Sequence, residues 1–138
     1  MQVYEGKEKY IYITYAHKDS ALILPIVEAL SSRGFRIWYD TGLDVEMDFI
    51  TKIEERLSSA HCVLAFHSER LMQSRSCADE IAFAYVKNIP VVLALLEPAY
   101  PPQEIFYLAC IQLHPYPHES AEAFADALAA LPVIQACK

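Results

Sequence analysis

The chain has 138 residues, 54% hydrophobic and 21% charged, with a net charge of −7. That length suits a single domain, residues 1–138, around one core, and the composition excludes a disordered chain. The acidic balance argues against a nucleic-acid binder, which needs clustered Lys and Arg, but leaves room for a small anionic ligand held by local donors.

The opening "MQVYEGKEKY" is polar, without the apolar stretch of a signal peptide. Residues 9–15, "KYIYITY", alternate and are rich in β-formers, which predicts a first strand. Asp19 or Ser20 can cap the helix "ALILPIVEALSSRG", which ends at Gly34; Pro25 inside it predicts a kink or an irregular first turn. "FRIWY" (35–39) is a second strand, and "DTGLDVE" (40–46) a loop. In "MDFITKIEERLSSA" (47–60), Phe49, Ile50, Ile53 and Leu57 recur at helical spacing.

"HCVLAFH" (61–67) predicts strand three, and a polar loop "SERLMQSR" follows. "SRSCADE" (74–80) reads as a capped helix start, with Ser76 as the cap and Asp79 completing a capping box, and the helix runs through Asn88. "IPVVLALLE" (89–97) is an almost continuous apolar strand, the pattern of a parallel strand covered on both faces. Its core "VVLALL" is too short to span a bilayer, so no membrane contact is expected. A proline-rich loop, a short segment "EIFYL", a strand at 109–114 and a helix at about 119–131 complete the chain.

Strands alternating with helices predict an α/β fold. The expected form is a flavodoxin-like three-layer domain, with a five-stranded parallel sheet in the order 2-1-3-4-5 and helices on both faces. In such a sheet ligands bind past the carboxyl ends of the strands, at the switch between strands one and three. The polar segments "TYAHKD", "YDTGLDVEMDF", "HSERLMQSRSCADE" and "LEPAYPP" gather there.

With three glycines, Gly6, Gly34 and Gly42, the chain has neither a G-x-G-x-x-G nor a Walker A loop. A phospho-receiver of the same fold needs acids where this chain reads "TYA" and "FHS", and a Lys where it reads "LHP". Cys62, Cys77, Cys110 and Cys137 show no C-x-x-C spacing and no His at metal-ligand spacing, so a reduced, cytoplasmic protein without a metal is expected. His17 and His67 lie at strand ends that can face the site. Glu80 falls in the predicted first turn after strand three, at the edge of the stripe formed with Cys77 and Ala84; Asp79 points further toward solvent.

In order and spacing these segments resemble the TIR (Toll/interleukin-1 receptor/resistance) domain family, bacterial type. "YIYITYAHKD" is similar to its first box. The stretch from "GFRIWYD" to "LLEP" resembles its second strand, BB loop, following helix and S-x-x-C-x-x-E motif, which falls on Ser74, Cys77 and Glu80. The resemblance spans about residues 9–113.

It implies an NAD+ glycohydrolase or ADP-ribosyl cyclase that cleaves the nicotinamide–ribose bond, with Glu80 catalytic. Thr14, Tyr15 and Ala16 would line the nicotinamide and ribose end, with Ser74 and Cys77 beside Glu80. Asp40, Gly42, Leu43 and Phe49 would belong to the loop over the dinucleotide. NAD+ is then substrate, and no cofactor is implied. The active form implied is a homo-oligomer through the BB loop (40–48). Its product would be a signalling nucleotide in bacterial immunity, read by a separate effector protein. The chemistry is consistent: loss of nicotinamide builds positive charge on the ribose, which a carboxylate stabilises, and the pyridinium leaves without a general acid. The alternative within the family is a non-enzymatic adaptor acting by homotypic assembly.

Two positions depart from the family pattern. Ser76 stands where many catalytic members carry an aromatic residue, which leaves Tyr15, Phe49 or Trp38 to provide a stacking surface. Val45 and Glu46 stand where the BB loop usually has Pro-Gly.

Overall fold

The computed structural model describes residues 3–40, 49–97, 111–114 and 120–138, with side chains at all of these except 49, 50 and 111–114. BB-loop residues 41–48, the proline-rich loop and the "EIFYL" segment lie outside the described residues, as does Cys110.

Among the described residues five strands, β1 Ile11–Thr14, β2 Ile37–Tyr39, β3 Cys62–His67, β4 Val91–Leu95 and β5 Ile111–His114, pair in parallel in the order β2-β1-β3-β4-β5. The first four of these carry the described side chains; β5 joins through its backbone. The helices are α1 Ser20–Ser32, α2 Phe49–Ser58, α3 Glu69–Met72, α4 Arg75–Val86, α5 Ala121–Ala129 and α6 Pro132–Gln135. The class is the parallel α/β arrangement that the alternation predicts.

The sheet order accounts for the layers. The step from β1 to β2 moves one way across the sheet, and the steps from β2 to β3 and from β3 to β4 move the other way. Right-handed crossovers therefore place α1 on one face and α2 and α4 on the opposite face. The two cores follow this division. Ile11, Ile13, Leu64, Phe66, Val92 and Ala94 pack with α1, α5 and α6. Tyr10, Tyr12, Val63, Ala65, Val91 and Leu93 pack with α2, α3 and α4. Every residue of β1, β3 and β4 is buried, which is why β3 and β4 read as apolar runs rather than strict alternations.

The helix ends are specified locally. After α1 the Gly34 N–H donates to the Ser31 carbonyl at 3.0 Å and the Phe35 N–H to the Leu30 carbonyl at 3.3 Å. After α4 the Asn88 N–H donates to the Tyr85 carbonyl at 3.1 Å and the Ile89 N–H to the Ala84 carbonyl at 2.8 Å. Both are Schellman closures, which need a left-handed residue, and Gly34 and Asn88 have φ of 93° and 58°. A Cβ on Gly34 would meet side-chain atoms of Lys138 only at 3.9 Å, so space is not the constraint there. Gly34→Ala is therefore expected to cost about 1–2 kcal/mol through backbone strain alone. A lower urea midpoint with an unchanged m-value would show it.

Several local expectations shift. α1 continues through Pro25, whose ring faces solvent, as does Ala21, whose carbonyl loses its helical donor to the proline. The predicted loop "SERLMQSR" contains the one-turn α3, capped by the Ser68 hydroxyl, which accepts from the Leu71 N–H at 3.1 Å. The sequence reading also missed α6, which has Pro132 at its first position. Among the described residues no helix is long and apolar enough to cross a membrane.

Candidate active site

The carboxyl ends of β1 and β3 open into a cavity of about 460 Å³. One wall is the end of β1 and the turn after it, from Tyr12 to Lys18, with Asp40 beyond β2; the other comprises Arg70, Gln73 and, at the start of α4, Ser74, Ser76, Cys77 and Glu80. Of the residues expected at the site, Thr14, Tyr15, Ala16, Asp40, Ser74, Cys77 and Glu80 all line this cavity. Gly42 and Leu43, and the side chain of Phe49, lie outside the described residues.

The start of α4 differs from the sequence expectation. Its cap is Ser74, in an extended conformation, whose hydroxyl accepts from the Cys77 N–H at 3.4 Å; Ser76 is an exposed first-turn residue. The reason lies upstream. The Ser74 N–H is already held by the Leu71 carbonyl of α3 at 3.0 Å, so the chain enters α4 two residues earlier than the S-x-x-D pattern suggests. Glu80 consequently sits in the second turn, beyond the free N–H groups of the helix end.

The S-x-x-C-x-x-E spacing now has a physical reading. Ser74 caps the helix. Cys77, buried three residues on, donates its thiol to the Tyr15 carbonyl at 3.5 Å and ties α4 to the end of β1. Glu80, three further along the same face, is thereby aimed at β1. There the strand period of two presents Tyr12 and Thr14 to the α4 side of the sheet. Asp79 is exposed, as expected.

Glu80 is half-buried, and burial is the main reason its carboxyl is pushed up from 4.5 to about 7. The hydroxyls of Thr14 and Tyr12 act in the opposite direction, while the carboxylates of Asp40 and Asp79 push it further up. Thr14 Oγ1 is buried without a hydrogen bond of normal geometry, so its effect on Glu80 is that of a nearby dipole rather than a closed bond. The Tyr12 phenol is itself pushed up, first by burial and then by Glu80. The result is a carboxyl poised near neutrality between two hydroxyls, on the wall of an open cavity.

Asp19, expected as a cap for α1, makes no capping hydrogen bond. Its side chain is buried, accepts from Ser68 Oγ at 2.6 Å and pairs with Arg70 Nε. Arg70 Nη2 reaches Glu97 at 3.1 Å, and Glu97 also accepts from the Glu69 N–H at 2.7 Å. This network joins the loops after β1, β3 and β4 at the cavity edge. Arg70 and Glu97 were missed in the sequence; their signal was a charged residue in each switch-point loop.

Aromatic residues are also placed differently than expected. Trp38 is buried against Tyr12, with ring centroids 5.2 Å apart, and does not line the cavity. Its strand pairs in register with β1 so that Trp38 lies opposite Tyr12, on the covered face. His67, the other strand-end histidine that could have faced the site, lines a separate apolar cavity of about 170 Å³ with Leu71 and Ile81. His17 does line the main cavity. Among the described residues no group of three or more His, Cys, Asp or Glu side chains is arranged to hold a metal ion.

Solved structures share this fold, among them two enzymes of nucleosides and nucleotides. A CMP N-glycosidase from Clostridium botulinum superposes with a TM-score of 0.62 at 17% identity, over 87% of this chain and 98% of that one. A 2-deoxyribosyltransferase from Bacillus psychrosaccharolyticus superposes with a TM-score of 0.59 at 14% identity, over 70% of this chain and 79% of that one. No curated protein matches the sequence. The TIR domain family matches residues 11–129, nearly the whole of the sheet and the helices that cover it, and this chain belongs to that family.

Proposed function

We propose that this TIR domain cleaves the nicotinamide–ribose bond of NAD+, as a glycohydrolase or ADP-ribosyl cyclase, with Glu80 as the catalytic carboxylate. The observation that carries this reading is the setting of Glu80: half-buried beside the Tyr12 and Thr14 hydroxyls, in a cavity of about 460 Å³ at the switch point. Fold relatives named for breaking or exchanging N-glycosidic bonds support the same class of chemistry.

The ribose would sit with its anomeric carbon against Glu80. As the C–N bond lengthens, its electron pair goes to the pyridinium nitrogen, and nicotinamide leaves neutral without needing a proton. Positive charge then develops on the ribose, where the Glu80 carboxylate stabilises it. Water adds to the anomeric carbon and loses a proton, giving ADP-ribose, nicotinamide and H+; attack by a ring nitrogen of the adenine instead gives a cyclic product. Thr14, Tyr15 and Ala16 line the ribose and nicotinamide end, and Ser74 and Cys77 hold the helix that aims Glu80. Asp40, Gly42, Leu43 and Phe49 cover the dinucleotide. Assembly through residues 40–48 completes the site, and the product signals to a separate effector in a cytoplasmic, antiphage setting.

Chromatography of NAD+ incubated with concentrated protein tests the reading, with CMP and a deoxyribonucleoside in parallel. Nicotinamide release from NAD+ is expected, with specific activity rising with protein concentration. Release of base from CMP alone would move the assignment to nucleotide hydrolysis, and no release from any of the three would overturn it. The pH dependence has a definite sign. The reactive form is the carboxylate, so kcat/KM in the free protein should rise with pH and level off above an inflection near 7.

A further inference from the structure

We propose that His17 is the base-stacking residue of this site. The proposal rests on the enzymatic reading above and extends it to how the leaving heterocycle is recognised.

A flat heterocycle beside the ribose would need a planar, accessible surface, and among the described residues the other aromatics near the cavity do not provide one. Tyr12 and Trp38 are buried and stacked on one another. Tyr15 is buried, and its hydroxyl donates to the Asp40 carbonyl at 3.1 Å. One face of Tyr15 is covered by His17, with ring centroids 5.2 Å apart and 20° between the planes. The His17 side chain is 60% exposed and lines the cavity. Its ring is stacked on Tyr15, and its edge faces Asp40, with Nε2 3.7 Å from Oδ2, beyond hydrogen-bond distance.

An imidazole stacked on one side and, among the described residues, open on the other is a platform for a flat heterocycle. The adjacent Asp40 carboxylate adds negative potential, which favours an electron-poor, positively charged ring. The class of ligand that fits is a pyridinium nucleotide in its oxidised form, in preference to the neutral dihydropyridine or a neutral nucleobase.

The experiment separates stacking from ion pairing. His17→Ala is expected to raise KM for NAD+ about tenfold while changing kcat much less, the size expected for one stacked base. His17→Phe keeps an aromatic face but cannot pair with Asp40; it should recover KM to within about threefold of the original. Equal impairment in both variants would overturn the proposal in favour of the ion pair.

A second readout does not depend on turnover. In Glu80→Gln protein titrated with NAD+, the His17 ring proton signals, assigned by their loss in His17→Phe, should move upfield while those of His61 stay put. NADH should move them less. Shifts elsewhere in the cavity with the His17 signals unmoved would overturn the stacking role and leave the enzymatic reading standing. No shift at any residue, with no nicotinamide released by the original protein, would overturn both.

Discussion

Replacing Glu80 with Gln should lower nicotinamide release from NAD+ by about 10³-fold, an effect on kcat rather than KM. Gln keeps the size of the side chain and one acceptor oxygen beside Tyr12 and Thr14, so the cavity retains its shape. What disappears is the negative charge that would face the developing cation. Full activity in Glu80→Gln would remove Glu80 from the mechanism.

The same substitution has a stability signature independent of catalysis. The folded-state pKa of Glu80 lies above its ordinary value, so between about pH 4.5 and 7 the native state binds more protons than the unfolded chain. Stability therefore falls as pH rises through that window, because the carboxyl must ionise in a partly dry site. Gln does not titrate, so Glu80→Gln should match the original protein near pH 4 and exceed it at pH 8. The expected difference is about 2 kcal/mol, the full shift being reduced by the carboxyl's partial exposure to water. Thermal melts of both proteins at the two pH values would measure it, and a difference independent of pH would contradict the burial of this carboxyl. Under the proposed enzymatic reading, a destabilising acid kept in the cavity trades stability for reactivity there.

The second large effect is expected from Arg70→Met. The Asp19 side chain is 2% exposed and Arg70 35% exposed, so the pair is buried on one side only. Met fills similar space but leaves the Asp19 carboxylate with the Ser68 hydroxyl as its hydrogen-bond donor. An uncompensated buried charge costs about 3 kcal/mol. Because the network also fixes Glu97 and the start of α3, the loss should appear as a lower urea midpoint and as weakened substrate binding at the cavity wall. In Asp19→Asn/Arg70→Met, where the charge is gone, much of the stability should return, so that the double-mutant cycle shows a favourable coupling between the two residues. Strict additivity of the two single changes would show that the pair contributes as little as an exposed ion pair.

Much of this architecture was legible along the chain. The apolar runs at 61–67 and 89–97 identify strands covered on both faces, and they form β3 and β4. Gly34 stops α1 because only a left-handed residue closes that end. The S-x-x-C-x-x-E spacing directs attention to Glu80 because residues at i and i+3 share a helix face. Each of these features depends on neighbours a few residues away, and chain spacing encodes such neighbours directly.

Where distant segments decide, local chemistry pointed elsewhere. Ser76 and Ser74 are equivalent candidates by pattern, and the hand-over from α3 selects Ser74. Asp19 looks like a cap, but an arginine 51 residues away claims it. Trp38 looks like a site aromatic, but its register with Tyr12 turns it into the covered core and leaves His17 at the cavity.

By itself, then, the sequence determined the alternation of elements and the position of one glutamate at the switch point, because periodicity and capping act over a turn or two of chain. Only the tertiary structure decided what that glutamate is. Its carboxyl sits near neutrality because burial disfavours the charge, while Tyr12 and Thr14 from β1 oppose Asp40 from beyond β2, and those balances depend on distances through space.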